Sequence, residues 1–410
     1  PDGNHLEESG GDGGMKWEKV KLGDIATCIQ PGPFGSQLHN SDYSKEGTPI
    51  IMPKDIVGGA IVHSGLLKVS EEHVKRLSRH QVYEGNLMVA RKGDVRKCAY
   101  ITANENGWMT GSDCLKVVLD ESKCYPKFIY YQLRSEHIGR WLEKVSIGAT
   151  MPSLNTGLLS GIEMVLPPIE IQKQIAGILS VCDDLIENNQ KQIKLLEEAA
   201  QRLYKEWFVD LRFPGHENTK IVDGVPEGWN EKTLSQVANV IMGQSPKSEF
   251  YNSEKKGLPF HQGVGSYGVR FVMDDIYSTS YTRIAEPNSI LFSVRAPVGR
   301  LNITKSKVVI GRGLAAINQT DGCQSYLYYL LKNRFFKDNI VGNGSIFASV
   351  SKDELLNQKF LIPERNLMMQ FEKIVSQMDK QIENLDSKNK KLIEARDRLL
   401  PKLMSGEVEV

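Results

Sequence analysis

The chain has 410 residues, of which 40% are hydrophobic and 25% charged, with a formal net charge of +1 at pH 7. That length predicts two or three domains, each able to bury a core, and the composition is that of a globular protein. No apolar run approaches the roughly 18 residues of a membrane span, no N-terminal stretch resembles a signal peptide, and the near-neutral total announces no polyanion partner by itself. Six cysteines without a C-x-x-C pair argue for reduced thiols, hence the cytoplasm, rather than a disulfide framework or a zinc site.

Residues 1–14, PDGNHLEESGGDGG, are polar and Gly-rich and read as a disordered leader or tag. Residues 15–167 read as a first mixed α/β domain. WEKVKLGDIA opens it, the Gly/Pro/Ser/Gln loop QPGPFGSQL follows, and TPIIM and LMVARKG read as strands. The Gly turn before the apolar run GSDCLKVVL, the aromatic-rich helix KFIYYQLRSEHIGRWLEKV and the small-residue loop IGATMPSLN come next. A short strand ending in VLPP closes the domain, because the prolines break the chain.

Residues 168–208 then show an apolar seam with steps of three and four: Leu179, Cys182, Ile186, Asn189, Ile193, Leu196, Ala200, Leu203 and Trp207. This heptad pattern predicts a long helix burying one narrow stripe against a partner helix. Residues 209–228, rich in Pro, Gly and charge, read as a linker.

From Trp229 the layout repeats. WNEKTLSQVA, the loop MGQSPKS, the strands LPF and ILFSVRAPVG, the run GRGLAAINQ, the aromatic helix SYLYYLLKNRFFKDNIV, the loop GNGSIFASVSKDEL and a strand ending in LIP fill residues 229–363. Residues 364–400 form a second heptad helix with the seam Val375, Met378, Ile382, Leu385, Asn389, Leu392, Arg396 and Leu399, and residues 401–410 are a tail. One constant offset lays Leu179 on Val375, Ile186 on Ile382, Leu196 on Leu392, Leu203 on Leu399 and Asp183 on Asp379. The two helices most simply satisfy each other, with Asn189 and Asn389 sacrificing stability to fix register. Antiparallel packing would relate the halves by a pseudo-twofold axis. The predicted fold class is therefore α/β (α+β), with two repeated mixed modules separated by two long antiparallel coiled-coil helices.

Catalytic signatures are missing. There is no phosphate loop, no G-x-G-x-x-G after a strand, no H-E-x-x-H, and no metal-ligand spacing among the eight histidines. Repeated modules with a long helical spacer favour binding, and both modules are mildly basic. The candidate DNA contacts are the basic turns after an apolar strand, with Arg91, Lys92 and Arg96 in the first copy matched to Arg295 and Arg300 in the second. Arginine can take guanine O6 and N7 bidentately or grip a phosphate. Arg312 joins them, as do the loops at Gly35, Ser36 and Gln37 and at Gly243, Gln244, Ser245 and Lys247, where backbone and hydroxyl donors suit phosphates. The small-residue loops Gly148 to Ser153 and Gly344 to Ser349 also match between the copies, and Ser351 with Glu354 reads as a capping box, which makes helix capping the reading for the end of the second loop. The aromatics Phe128, Tyr130, Tyr131, Tyr326, Tyr328 and Tyr329 fall at helical spacing beside Leu and Ile and are expected in the core. A helix of about 35 residues is roughly 50 Å long, against about 34–36 Å between successive major-groove faces, so helix length could set the gap between two half-sites.

The paired LPPIEIQKQIAGILSVCDDLIENN and LIPERNLMMQFEKIVSQMDKQIENL, the central KEWFVDLRFPGHE and VPEGWNEKTLSQVA, and the closing RDRLLPKLMSGEVEV together resemble the specificity subunit of type I restriction–modification systems. The resemblance implies two target-recognition domains reading the halves of a bipartite, asymmetric target in double-stranded DNA, and a coiled coil that docks two methyltransferase subunits. It implies that the chain catalyses nothing and holds no cofactor. S-adenosylmethionine would be bound by the methyltransferase, which modifies adenine, and ATP and Mg by the restriction/translocase subunits. The alternative is a coiled-coil scaffold joining protein partners without reading DNA.

Overall fold

The computed structural model describes residues 17–146, 152–335 and 349–410. The small-residue loops matched between the copies, Gly148 to Ser153 and Gly344 to Ser349, lie largely outside these residues, as does the leader. The chain forms two compact units, one of residues up to Asn188 together with Lys388–Val410, the other of Asn189–Ser387. Each unit thus includes part of both long helices.

In the first unit a four-stranded antiparallel sheet has the order Ala26–Pro31, Cys114–Leu119, Leu87–Ala90, Cys98–Tyr100. The strand Leu87–Ala90 is buried throughout because both of its faces are covered. Leu87 and Val89 point into a core with Phe128, Ile129 and Tyr131 of the aromatic helix, while Met88 points the other way, to Ile51, Ile56 and Val82. A second, mixed sheet, ordered Met109–Thr110, Thr48–Ile51, Leu67–Val69, Tyr43–Ser44, supplies the Ile51 side. Val20 pairs with Met164 in a two-strand ladder that brings the unit's first and last strands together.

The second unit repeats this plan. Its main sheet runs Ala238–Met242, Leu314–Gln319, Ile290–Ser293, Leu301–Ile303. Ile290 and Phe292 face the aromatic helix Gln324–Phe335, and Leu291 faces Val308 and Ile310 of the second sheet. The six aromatics expected in the core are buried, Tyr130 most exposed at 5%. The first aromatic segment is not one helix: it breaks into Pro126–Leu133 and Glu136–Val145, because Ser135 turns out of helix and accepts a hydrogen bond from Ile138 N to start the second piece. Ser351 and Glu354 do form a capping box.

The long helices span Ile169–Phe208 and Arg365–Ser405. The second runs through Pro401, beyond the end expected at Leu400, because Leu400 and Leu403 are buried in the first unit's core and hold the last turn there. The seam is buried or half-buried, including Asn189 at 8% and Asn389 at 7% exposure. Within each unit the helices are antiparallel. In the second, Glu197 and Asp379 share Arg270, and further along the first helix Trp207 meets Phe371. In the first, Arg396 Nη1 donates to Asp183 Oδ1 at 2.6 Å, and the earlier Ile175 and Leu179 share a core with Leu400 and Leu403. Near their ends the buried positions slip from Leu203 to Tyr204 and from Leu399 to Leu400, the drift expected when a 3.6-residue helix leaves a heptad seam for a globular core.

The duplicated aspartates anchor each module to the helices. Tyr131 Oη donates to Asp183 at 2.8 Å, while Arg270 joins Tyr329 Oη, at 3.3 Å, to Asp379. The helices also cap the aromatic helices. Gln172 Oε1 accepts from Tyr125 N, and Glu372 accepts from Ser325 N and Tyr326 N.

Candidate nucleic-acid interface

In each unit two glycines press backbone on backbone at one end of the main sheet. A Cβ on Gly32 would stand 1.9 Å from the Gly111 carbonyl oxygen, and one on Gly243 would stand 2.1 Å from that of Gly311. The ladder repeats around them: Gly32 N donates to Cys114 O and Gly243 N to Leu314 O, while Gly111 N donates to Ile51 O and Gly311 N to His261 O. Only glycine permits that approach. The result is a fixed junction of three turns: the loop after the first sheet strand, the turn before Cys114 or Leu314, and the basic turn after Ala90 or Ser293.

The same ladders give the correspondence between the basic turns. Cys114 pairs with Ala90 and Leu314 with Ser293, so the two turns start in register. Arg91 N donates to Asp113 O and Val294 N to Gly313 O, while Lys92 bridges Ser153 and Arg295 bridges Ser349. Lys92, not Arg91, is therefore the counterpart of Arg295. At the far end Ala90 N donates to Lys97 O and Ser293 N to Arg300 O, which makes Lys97, not Arg96, the counterpart of Arg300. Matching by residue type was off by one, and at a strand end one residue changes the side on which a side chain emerges. The gap-free reading of ARKGDVRKC over SVRAPVGRL, which sets Val95 on Val298, carried that signal. The loops need a similar correction: Gly32 matches Gly243, so the counterpart of Gly243-Gln244-Ser245 is Gly32-Pro33-Phe34. Ser36 and Gln37 lie in a 3-10 turn further along.

The predicted residues accordingly separate. In the second unit Gln244, Ser245, Arg295 and Arg312 come together. Ser245 Oγ accepts from Arg312 N at 3.2 Å, and Gln244 N donates to Ile310 O, whose own N–H bonds to Arg283 O. Arg295 and Arg312 are exposed and have no carboxylate within ion-pair distance among the described residues. Gln262, whose carbonyl accepts from Gly313 N, and Arg283 complete this polar and basic surface. Both were missed, since only the parallel pairing of Leu258–His261 with Val308–Ile310 brings them there. Lys247 stands further out, beside Glu249 at 3.8 Å, and Arg300 lines a separate cleft of about 380 Å³ with Tyr328, Asn302 and Lys332.

In the first unit the junction differs. Lys92 Nζ lies 3.1 Å from Asp113, and Arg91 sits 5.6 Å over the ring of Phe34, which is 54% exposed. Gln37 is held by its carbonyl to Arg76. Arg96 turns to the helix Glu136–Val145, where it pairs with Glu136 and, at 3.5 Å, with Glu143, so its guanidinium is used inside the unit. Lys97 Nζ donates to Pro53 O. Among the described residues no group of three His, Cys, Asp or Glu side chains could hold a metal ion, and no helix is long and apolar enough to cross a membrane.

Comparison with known proteins places this architecture. The type I restriction modification DNA specificity domain matches residues 15–198 and 226–395, one copy for each module. A putative type I restriction enzyme MjaX specificity subunit of Methanocaldococcus jannaschii is 29% identical over 405 residues, covering 96% of this chain and 94% of its own. The MjaIX specificity subunit of the same organism is 25% identical over 412 residues, covering 96% of this chain and 94% of its own. The crystal structure of a type I restriction–modification S subunit from M. genitalium has the same fold, with a TM-score of 0.56 at 18% identity, over 97% of this chain and 98% of that one. With both modules matched, this chain belongs to the type I restriction modification DNA specificity family.

Proposed function

We propose that this chain is the sequence-reading subunit of a type I restriction–modification complex and that each unit reads one half of a split, asymmetric DNA target through its glycine-pinned junction. One observation carries the reading: the same backbone junction occurs twice with different side chains on it. Lys92 stands where the other unit has Arg295, Asp113 where it has Gly313, and Ser112 where it has Arg312. A conserved frame with exchanged side chains is what reading two unlike half-sites requires, because base edges are distinguished by donor, acceptor and methyl patterns. Arg91, Lys92, Gln244, Ser245, Arg295 and Arg312 are the proposed contacts, joined by Phe34, Gln262 and Arg283. Ser36, Gln37, Lys247 and Arg300 are peripheral, and Arg96 leaves the set.

On this reading the chain itself catalyses nothing and needs no cofactor. Two methyltransferase subunits would dock on it and bring S-adenosylmethionine, while restriction/translocase subunits would bring ATP and Mg. The length of the long helices would set the number of uncontacted bases. The deciding experiment is genome-wide adenine methylation mapping in cells expressing the chain with its cognate methyltransferase, against cells without it. A single split, asymmetric motif appearing only with the chain is expected. An assembled complex that writes no new motif would reject the reading and leave a scaffold that joins proteins.

A further inference from the structure

We propose that Phe34 is a specificity-determining residue of the first unit and that it reads the 5-methyl group of a thymine in the major groove. This rests on the DNA-reading function proposed above. Phe34 is a large aromatic on this junction, and it is 54% exposed.

Its position is fixed by backbone rather than by its own packing. Pro31 and Pro33 flank Gly32, which is pressed onto Gly111, so the backbone that leads to Phe34 is restrained. The Arg91 guanidinium lies 5.6 Å from the centre of the ring, which nonetheless stays 54% exposed. Arg91 has no carboxylate within ion-pair distance among the described residues, so it can reach a phosphate while its stem stays beside the ring.

Apart from Arg91, the described junction residues around Phe34 bring little free charge. Asp113 neutralises Lys92, and Met52, at the position of Gln262 in the other unit, brings its sulfur against Gly111. Two residues after the loop glycine, where the first unit has Phe34, the second has Ser245, engaged with the backbone of Arg312. The first junction therefore offers an apolar contact where the second offers hydrogen-bonding groups. The major-groove edge that answers an apolar side chain is the thymine methyl.

The test uses the complex with its methyltransferase, bound to duplexes of the mapped target in which each thymine is replaced in turn by uracil, which lacks only the methyl. One such replacement in the half-site read by the first unit should weaken binding about fourfold, the factor matching one buried methyl at ~0.8 kcal/mol. Phe34→Ala should bind the thymine and uracil duplexes alike, keep its thermal midpoint because the ring is exposed, and leave the other half-site's preferences unchanged. A first half-site with no thymine on either strand overturns the proposal, and so does a Phe34→Ala complex that still prefers thymine over uracil. Failure of the wild-type complex to bind any split motif would instead strike at the DNA-reading function itself, and this inference would fall with it.

Discussion

Arg270 sets its guanidinium 3.8 Å from the centre of the Tyr328 ring. It is 2% exposed, donates to Asp379 at 2.5 Å and lies 3.4 Å from Glu197, so one side chain ties the second module to both long helices. Removing Arg270 would leave two largely covered carboxylates, Glu197 at 18% and Asp379 at 22% exposure, without their shared cation. Arg270→Leu should therefore destabilise the second unit by about 3–5 kcal/mol. Denaturant unfolding of the variant and wild type measures it, and an unchanged midpoint would mean that the carboxylates are hydrated.

The glycine junctions make a sharper prediction. Gly32→Ala or Gly243→Ala would drive a methyl into a carbonyl oxygen of the facing turn, and backbone cannot yield as a side-chain end can. Each should cost about 1–3 kcal/mol of stability and impair recognition of one half-site. Gly35→Ala, with open space around its Cβ, serves as the control for crowding, although its φ of +61° adds local strain. Methylation of targets mutated in one half or the other would reveal a variant that affects both halves equally, which would contradict this assignment.

Arg295→Ala should relax choice in one half-site only, by about 1–3 kcal/mol for a bidentate base contact. Arg96→Ala should leave DNA affinity and its salt dependence as they are, since that guanidinium serves Glu136 and Glu143. Binding titrations at several salt concentrations separate the two. A lower salt slope for Arg96→Ala would put it back on the interface.

How far the sequence reached differs between the helices and the junction. The seam from Leu179 to Trp207 and its copy from Val375 to Leu399 were legible because a heptad repeats a local rule over many turns. The glycine-pinned junction was half legible: its loops and basic turns stood out, but pairing Arg91 with Arg295 followed residue type, whereas strand register follows hydrogen bonds. Arg270 left no mark at all, lying between Val269 and Phe271 as any surface arginine might, because its partners come from three distant elements. Phe34 leaves no sign beyond a turn in the sequence, since nothing local tells whether an aromatic beside Gly and Pro turns inward or outward.

His80 gives a pH prediction for the first unit. It is 3% exposed, accepts a hydrogen bond from Arg79 Nε at 3.1 Å, and lies near Lys116. Burial first, then the charges of Arg79 and Lys116, push its pKa down to about 4, from roughly 6.5 in an unfolded chain. Between those values the unfolded state binds the proton that the folded state refuses. Stability should therefore fall as pH drops from about 6.5 towards 4, by at most about 3 kcal/mol. His80→Gln should flatten that part of the profile, and an unaltered slope in the variant would assign the acid sensitivity to other groups.

The division of the long helices bears on how the protein is made. The second unit is one uninterrupted stretch, Asn189–Ser387, whereas the first needs Lys388–Val410 to bury Leu400 and Leu403, to pair Arg396 with Asp183 and to cover Trp17 with Gly406. During synthesis the module that begins first must therefore finish last. Until residues 388–410 have been made, the apolar face of Ile175 and Leu179 lacks the cover of Leu400 and Leu403, and deleting those residues would strike the first unit rather than the one beside them in sequence.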